Sequence, residues 1–159
     1  MSKLIIMMGL PESGKSTLAA EMADRLDAVI CSADDFFVWW CRGKYRFDYK
    51  LCDEAHKNCQ DRALYGLAMN RNVVVDNTNT KMADIFRYNR IAKTYGVPAY
   101  LLEPQTSWRY DVLECYSRNT HNVPLSVISS MYENMINTKK LLQGVSTQLF
   151  DYELIGLEQ

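Results

Sequence analysis

Neither sign of charge dominates this 159-residue chain: 18 Lys and Arg stand against 19 Asp and Glu, a formal net charge of −1. A protein that grips long duplex DNA through its phosphates is usually basic, because phosphate neutralisation dominates that affinity. That class is disfavoured, and any action on nucleic acid would be on a short stretch or an end. No apolar run approaches the length that spans a bilayer, so no membrane is expected. The first strand-like segment starts almost at Met1, so the expectation is no signal peptide and a cytoplasmic location. The cysteines Cys31, Cys41, Cys52, Cys59 and Cys115 form no C-x-x-C pair and read as reduced thiols. Cys52, His56 and Cys59 share a helical face, but without a fourth ligand at usable spacing they read as packing residues rather than a zinc site. Repeats, low-complexity tracts and linkers are also missing, and the length suits a single domain over 1–159.

What is present is one strong motif. Gly9-Leu-Pro11-Glu12-Ser13-Gly14-Lys15-Ser16-Thr17 spells G-x-x-x-x-G-K-S. Leu4–Met8 before it reads as a buried parallel strand, and Ser16–Leu26 after it carries Leu18, Ala19, Met22 and Leu26 at helical spacing. Strand, glycine loop and helix in that order make a phosphate-binding P-loop. Glycine lets backbone N–H groups approach phosphate oxygens that a Cβ would hold off. The helix N-terminus adds partial positive charge at the same point. Gly9, Pro11, Ser13, Gly14, Lys15, Ser16 and Thr17 are the candidate nucleotide contacts. Lys15 is suited to the β- and γ-phosphates and the Ser16 hydroxyl to a place on Mg²⁺. ATP or another nucleoside triphosphate is the expected ligand.

Strand-like and helix-like segments alternate almost throughout, which predicts an α/β fold with a parallel sheet flanked by helices. Ala28–Cys31, Val73–Val75 and Ala99–Leu102 are the further predicted strands, and Gln148–Ile155 a last one. Helices are predicted over Asp48–Met69, Lys81–Tyr95, Ser107–Arg118 and Leu125–Met135, the last two forming a helical lid over about residues 107–137. Ligands of open α/β sheets sit beyond the carboxyl ends of the strands. Ser32–Asp35, Asp76–Asn79 and Glu103 all fall at such ends.

Asp34 after the second strand is suited to accept the proton of an attacking hydroxyl. Asp35 is the alternative base, and either aspartate could instead cap a following helix. Asp76 ends the Val73–Val75 strand as a Walker-B-like carboxylate would, to hold Mg²⁺ with Ser16, or else serves as a turn or cap residue. Asn77 and Asn79 beside it offer amides to a substrate. Arg118 stands where a lid arginine would meet the transferring phosphate, unless it only favours a helix C-terminus. Arg109 is a weaker candidate for the same task. Trp39, Trp40, Tyr45, Phe47 and Tyr49 interleave with Arg42, Lys44 and Arg46, a mixture suited to stacking bases and meeting phosphates, or to a solvated loop over buried aromatics.

In order, Gly9-x4-Gly14-Lys15-Ser16, Ser32-Ala-Asp34-Asp35-Phe-Phe, Val75-Asp76-Asn-Thr-Asn79, Glu103-Pro104 and Arg118-Asn119…Val123-Pro124…Met131-Tyr132…Met135 span most of residues 3–137. In this combination the chain resembles the bacteriophage-type 5′-hydroxyl polynucleotide kinases and the related kinase-like domain of the NEDD4-binding-protein-2 group. The resemblance implies a P-loop kinase fold and transfer of the ATP γ-phosphate to the 5′-OH end of DNA or RNA, with Mg²⁺. It implies Asp34 as general base, Asp76 as the acidic residue of the D-x-T-N element, Arg118 as a lid arginine, and a cytoplasmic setting that includes a phage-infected host. A small-molecule kinase acting on a sugar or nucleoside, or an NTP-binding module without transfer activity, are the alternatives. The chain departs from the phage pattern in three places. Phe37 replaces an arginine after the base, leaving Arg42 or Arg46 to substitute; His121 stands in place of a second lid arginine; and Glu12 occupies a P-loop position where a small residue is usual.

Overall fold

The computed structural model describes residues 1–144, so the predicted strand at Gln148–Ile155 lies outside the described residues. Four strands, β1 (Leu4–Met7), β2 (Ala28–Cys31), β3 (Asn72–Val75) and β4 (Ala99–Leu102), form one sheet in the order β2-β3-β1-β4. Every pairing is parallel; Ile5 faces Val74 on one side and Tyr100 on the other.

The apolar run of β1 has a direct cause. Leu4 and Ile6 pack with Val73 and Val75 on one face of the sheet, while Ile5 and Met7 pack with Val74 on the opposite face. A central parallel strand is covered on both faces and so shows no polar alternation. Helix α1 (Lys15–Leu26) covers the second face with Leu18, Ala19 and Met22. The first face lies under α3 (Cys52–Ala68) and α4 (Met82–Thr94), reached after the short α2 (Asp34–Trp40). Small residues let α3 lie close to the sheet: Ala55, Cys59, Ala63 and Gly66 are buried. A Cβ at Gly66 would stand 2.8 Å from Cγ2 of Val73.

The predicted helix over Asp48–Met69 divides in two. Asp48 accepts the Lys50 N–H at 3.0 Å and caps a 3-10 turn over Tyr49–Leu51, from which α3 proceeds. In the predicted lid region, α5 covers only Val112–Ser117, shorter than the predicted Ser107–Arg118, and α6 runs Leu125–Gly144, longer than the predicted Leu125–Met135. Residues 107–110 form a turn instead, because that stretch is held from outside: the Trp108 indole N–H donates to Glu12 O at 3.0 Å. Asp111 then restarts the helix by accepting the Glu114 N–H. Among the described residues no helix is long and apolar enough to cross a membrane.

Candidate nucleotide and acceptor site

All four strands point their carboxyl ends the same way, so the loops after β1, β2, β3 and β4 share one edge of the sheet. The P-loop leaves β1 between the β3 and β4 loops. Gly9 N–H donates to Thr78 O at 3.0 Å, and Thr106 Oγ1 donates to Ser13 O at 2.7 Å. Gly14 has φ +103, and a Cβ there would stand 2.7 Å from Cγ2 of Thr106, so both conformation and space require glycine. Ser13 Oγ and Lys15 Nζ both donate to Leu10 O, at 2.6 and 2.7 Å. Pro11 is half-buried; Ser16 and Thr17 are exposed at the start of α1.

Lys15 is 7% exposed. Burial pulls its ammonium below the usual lysine range, and the Asp76 and Asp34 carboxylates oppose that pull. Burial likewise raises the Asp76 carboxyl, against the hydrogen bond from Ser16 and the charge of Lys15. Lys15, Ser16, Asp76 and Asp34 thus form one coupled group beside the loop. The Ser16 hydroxyl and Asp76 carboxylate are hard oxygen donors next to a phosphate cradle, and this donor set fits Mg²⁺. Among the described residues no group of three His, Cys, Asp or Glu side chains could hold a metal alone; of the three residues read as packing, Cys59 is buried and Cys52 half-buried, whereas His56 is exposed.

Asp34 and Asp35 open α2 and diverge in role. Asp35 is held by Arg62, whose two terminal nitrogens reach Oδ2 at 3.0 and 2.9 Å while Nη2 also contacts Ser32 O at 3.4 Å. Asp34 is exposed and faces the lid and the loop after α2. The Tyr45 hydroxyl stands 3.4 Å from its Oδ1, and His121 Nδ1 is 3.8 Å from its Oδ2. The Tyr45 and His121 rings stack at 4.1 Å.

Asn77 and Asn79 face the scaffold. Asn77 Oδ1 accepts the Ala33 N–H at 2.8 Å, and its Nδ2 donates toward the Tyr88 hydroxyl at 3.3 Å and Cys59 Sγ at 3.4 Å. Asn79, at φ +44, donates to Met7 O at 2.8 Å. These amides tie the loops after β2 and β3 and the end of β1 into one edge. Asn77→Ala is expected to lower stability by about 2 kcal/mol, because it strands the buried Ala33 N–H. Urea unfolding checks this, and an unchanged midpoint would remove the tether.

Arg118 ends α5, pairs with Glu114 at 2.9 Å, and lies 3.8 Å over the Trp108 ring. Trp108 in turn bonds Glu12 O, so Arg118 is one side chain away from the P-loop. Arg109 instead donates to Thr106 O and stacks on Tyr110. The Glu12 carboxylate accepts from Thr120 Oγ1 at 3.0 Å and is turned to the lid. Arg42 and Arg46 are exposed beyond α2, and Phe37 is core, 2% exposed. Four contributors were not singled out in the sequence: Arg62, Thr106, Trp108 and Thr120. Arg62 left a faint signal, a cation one position from the small-residue face of α3; the others act across some 90 to 110 residues of chain and left none.

A family profile described as an AAA domain matches residues 4–135. The chain belongs to this AAA-domain family. Human NEDD4-binding protein 2 is 34% identical over 133 residues, covering 82% of this chain. The chain spans only 7% of that protein's length. Among solved structures, the Pnkp1/Rnl/Hen1 RNA repair complex superposes with a TM-score of 0.71 at 23% identity, covering 88% of this chain and 46% of the matched one. The Mycobacterium tuberculosis APS kinase CysC, in complex with AMPPNP and APS, matches with a TM-score of 0.55 at 13% identity, over 92% of this chain and 77% of that one. This AAA domain is therefore a P-loop domain of kinase-like fold, a parallel α/β sheet flanked by helices.

Proposed function

We propose that this AAA domain transfers the γ-phosphate of ATP to the 5′-hydroxyl end of a DNA or RNA strand, and that residues 1–159 act as one kinase domain. The observation that carries the reading is the placement of an exposed Asp34 carboxylate in the same charge group as the P-loop Lys15 and the Ser16–Asp76 pair. A phosphate cradle alone accounts for nucleotide binding; a second carboxylate open to an acceptor supports transfer as well. The fold shared with a protein of an RNA repair complex supports a nucleic-acid acceptor.

In this reading the acceptor 5′-oxygen forms a bond to the γ-phosphorus as the bond from that phosphorus to the β,γ-bridging oxygen breaks. Asp34 takes the hydroxyl proton, and ADP leaves with the bridging oxygen. Lys15 leaves Leu10 O to meet the phosphates, and Arg118 moves off Trp108 to cover the developing charge. Ser16 and Asp76 would hold Mg²⁺, which supplies charge neutralisation on the β- and γ-phosphates. Asp35 acts through its grip on Arg62, and Asn77 and Asn79 by fixing the loops, with the acceptor meeting Asp34 and Arg42.

The test is γ-labelled ATP offered with 5′-OH DNA and RNA oligonucleotides, nucleosides and sugars. Label is expected on the oligonucleotides alone. Label confined to a nucleoside or sugar would move the domain to the small-molecule kinases; nucleotide binding without transfer to any hydroxyl would make it a binding module.

A further inference from the structure

Beyond Asp34 and Arg42 the molecule exposes an aromatic and basic surface to which the transfer chemistry assigns no role. A cavity of about 400 Å³ opens between Trp40, Arg46, Phe47 and Tyr49, with Cys41 and Asp48 completing its lining. Trp40, Phe47 and Tyr49 are exposed at 65, 53 and 73%. Aromatic side chains left this open in a group mark a recognition surface more often than a packing fault. They are held in place nonetheless. Trp40 stacks on Phe36 with ring planes 9° apart, and Phe47 packs on Phe37 at 5.2 Å. Tyr49 opens the 3-10 turn that Asp48 caps.

Two observations say what covers this surface. The first is charge: residues 42–50 carry Arg42, Lys44, Arg46 and Lys50 against Asp48 alone, in a chain whose overall charge is −1. Asp48 is already engaged with a backbone N–H. The second is continuity. Phe37 touches both Phe47 and Tyr45, and Tyr45 reaches the Asp34 carboxylate, so one aromatic cluster runs from the proposed base to the cavity. Bases stack on aromatic rings without regard to sequence, and interleaved cations follow the backbone.

We infer that residues 40–49 form a track for the second and following nucleotides of a single-stranded acceptor, whose first nucleotide sits at Asp34 beside Tyr45 and His121. Unpaired bases are needed for the stacking, so the acceptor end is single-stranded rather than a blunt duplex. The inference rests on the kinase reading for its first nucleotide, but the track itself binds without ATP.

Fluorescence anisotropy of a labelled single-stranded octamer with a 5′-OH, in the absence of ATP, therefore tests it separately from transfer. Affinity is expected to rise from about two to about eight nucleotides. Trp40→Ala and Tyr49→Ala are each expected to weaken octamer binding about tenfold, and Trp40→Phe to restore most of it. Arg46→Ala is expected to lower the salt dependence by about one phosphate contact. Tyr65→Ala, an exposed aromatic on α3, serves as the control with wild-type binding. Octamer held without any phosphate transfer would keep the track and remove the kinase reading. Wild-type octamer affinity in both alanine variants, no octamer binding by the wild-type chain, or self-association abolished by Trp40→Ala would overturn the track.

Discussion

Asp34→Ala is expected to lower kcat for transfer to a 5′-OH oligonucleotide by about 10²–10⁴-fold, the range a positioned general base supplies. ADP affinity should change by less than about twofold, since Lys15, Ser16 and the loop backbone rather than Asp34 form the phosphate cradle. Asp34→Asn is the sharper variant. It keeps size and the contact with the Tyr45 hydroxyl but cannot take the proton. A base predicts that Asn is nearly as slow as Ala. A residue that only orients Tyr45 and His121 predicts that Asn recovers most of the rate. Steady-state kinetics with one oligonucleotide at saturating ATP separates the two. The paired Asp35 gives a contrast: its carboxylate is held by Arg62, so Asp35→Asn should act through stability and a smaller rate loss.

The strands were legible in the residues because each is a short apolar run ending in a polar cluster, and burial on both faces of β1 and β3 produces that pattern. The P-loop was legible for the same reason of locality: its meaning lies within Leu4–Leu26. Helix α2 is legible only as the helix that Asp34 or Asp35 could cap, without bounds. Asp34–Trp40 is too short for a helical period to emerge, and Phe36, Phe37, Val38, Trp39 and Trp40 in succession hide which face is buried. Only Phe37 of these is core. The start of the lid was overextended because Trp108 and Thr106 are fixed by P-loop carbonyls far away in the chain, a constraint that local spacing does not carry. The two asparagines illustrate a different limit. Polar residues at a strand end serve a ligand or the scaffold with equal composition, and only the partners of Asn77 and Asn79 separate the two.

Glu12 follows from the same long-range contacts. An acidic residue in the phosphate loop would repel its ligand if it faced inward. At φ +57 the backbone turns it out, where Thr120 takes the carboxylate and Trp108 takes the carbonyl. The loop and the lid are thereby joined on both sides of one residue, with Arg118 resting on the same tryptophan.

Lys15→Met is expected to slow transfer by about 10³-fold, the loss that follows removal of a charged donor from developing phosphate charge in a water-poor site. Methionine keeps most of the volume of the buried stem, so packing beneath the loop is preserved and the loss is electrostatic. Nucleotide affinity should also fall, because the ammonium meets the phosphates in the ground state as well. The variant carries a second signature in pH. Burial holds the Asp76 carboxyl above 3.8, its ordinary value, and Lys15 is one of the two groups that pull it down. Above 3.8 the unfolded chain gives up that proton before the folded chain does, so ionised Asp76 costs the folded state stability as pH rises to the folded value. Removing the ammonium raises that value further and widens the interval. The urea midpoint of Lys15→Met should therefore fall more steeply than that of the wild type as pH rises above 3.8 toward the raised folded-state value of Asp76. Equal slopes would mean that Lys15 and Asp76 do not share one field, and the coupled group on which the phosphotransferase reading stands would lose its centre.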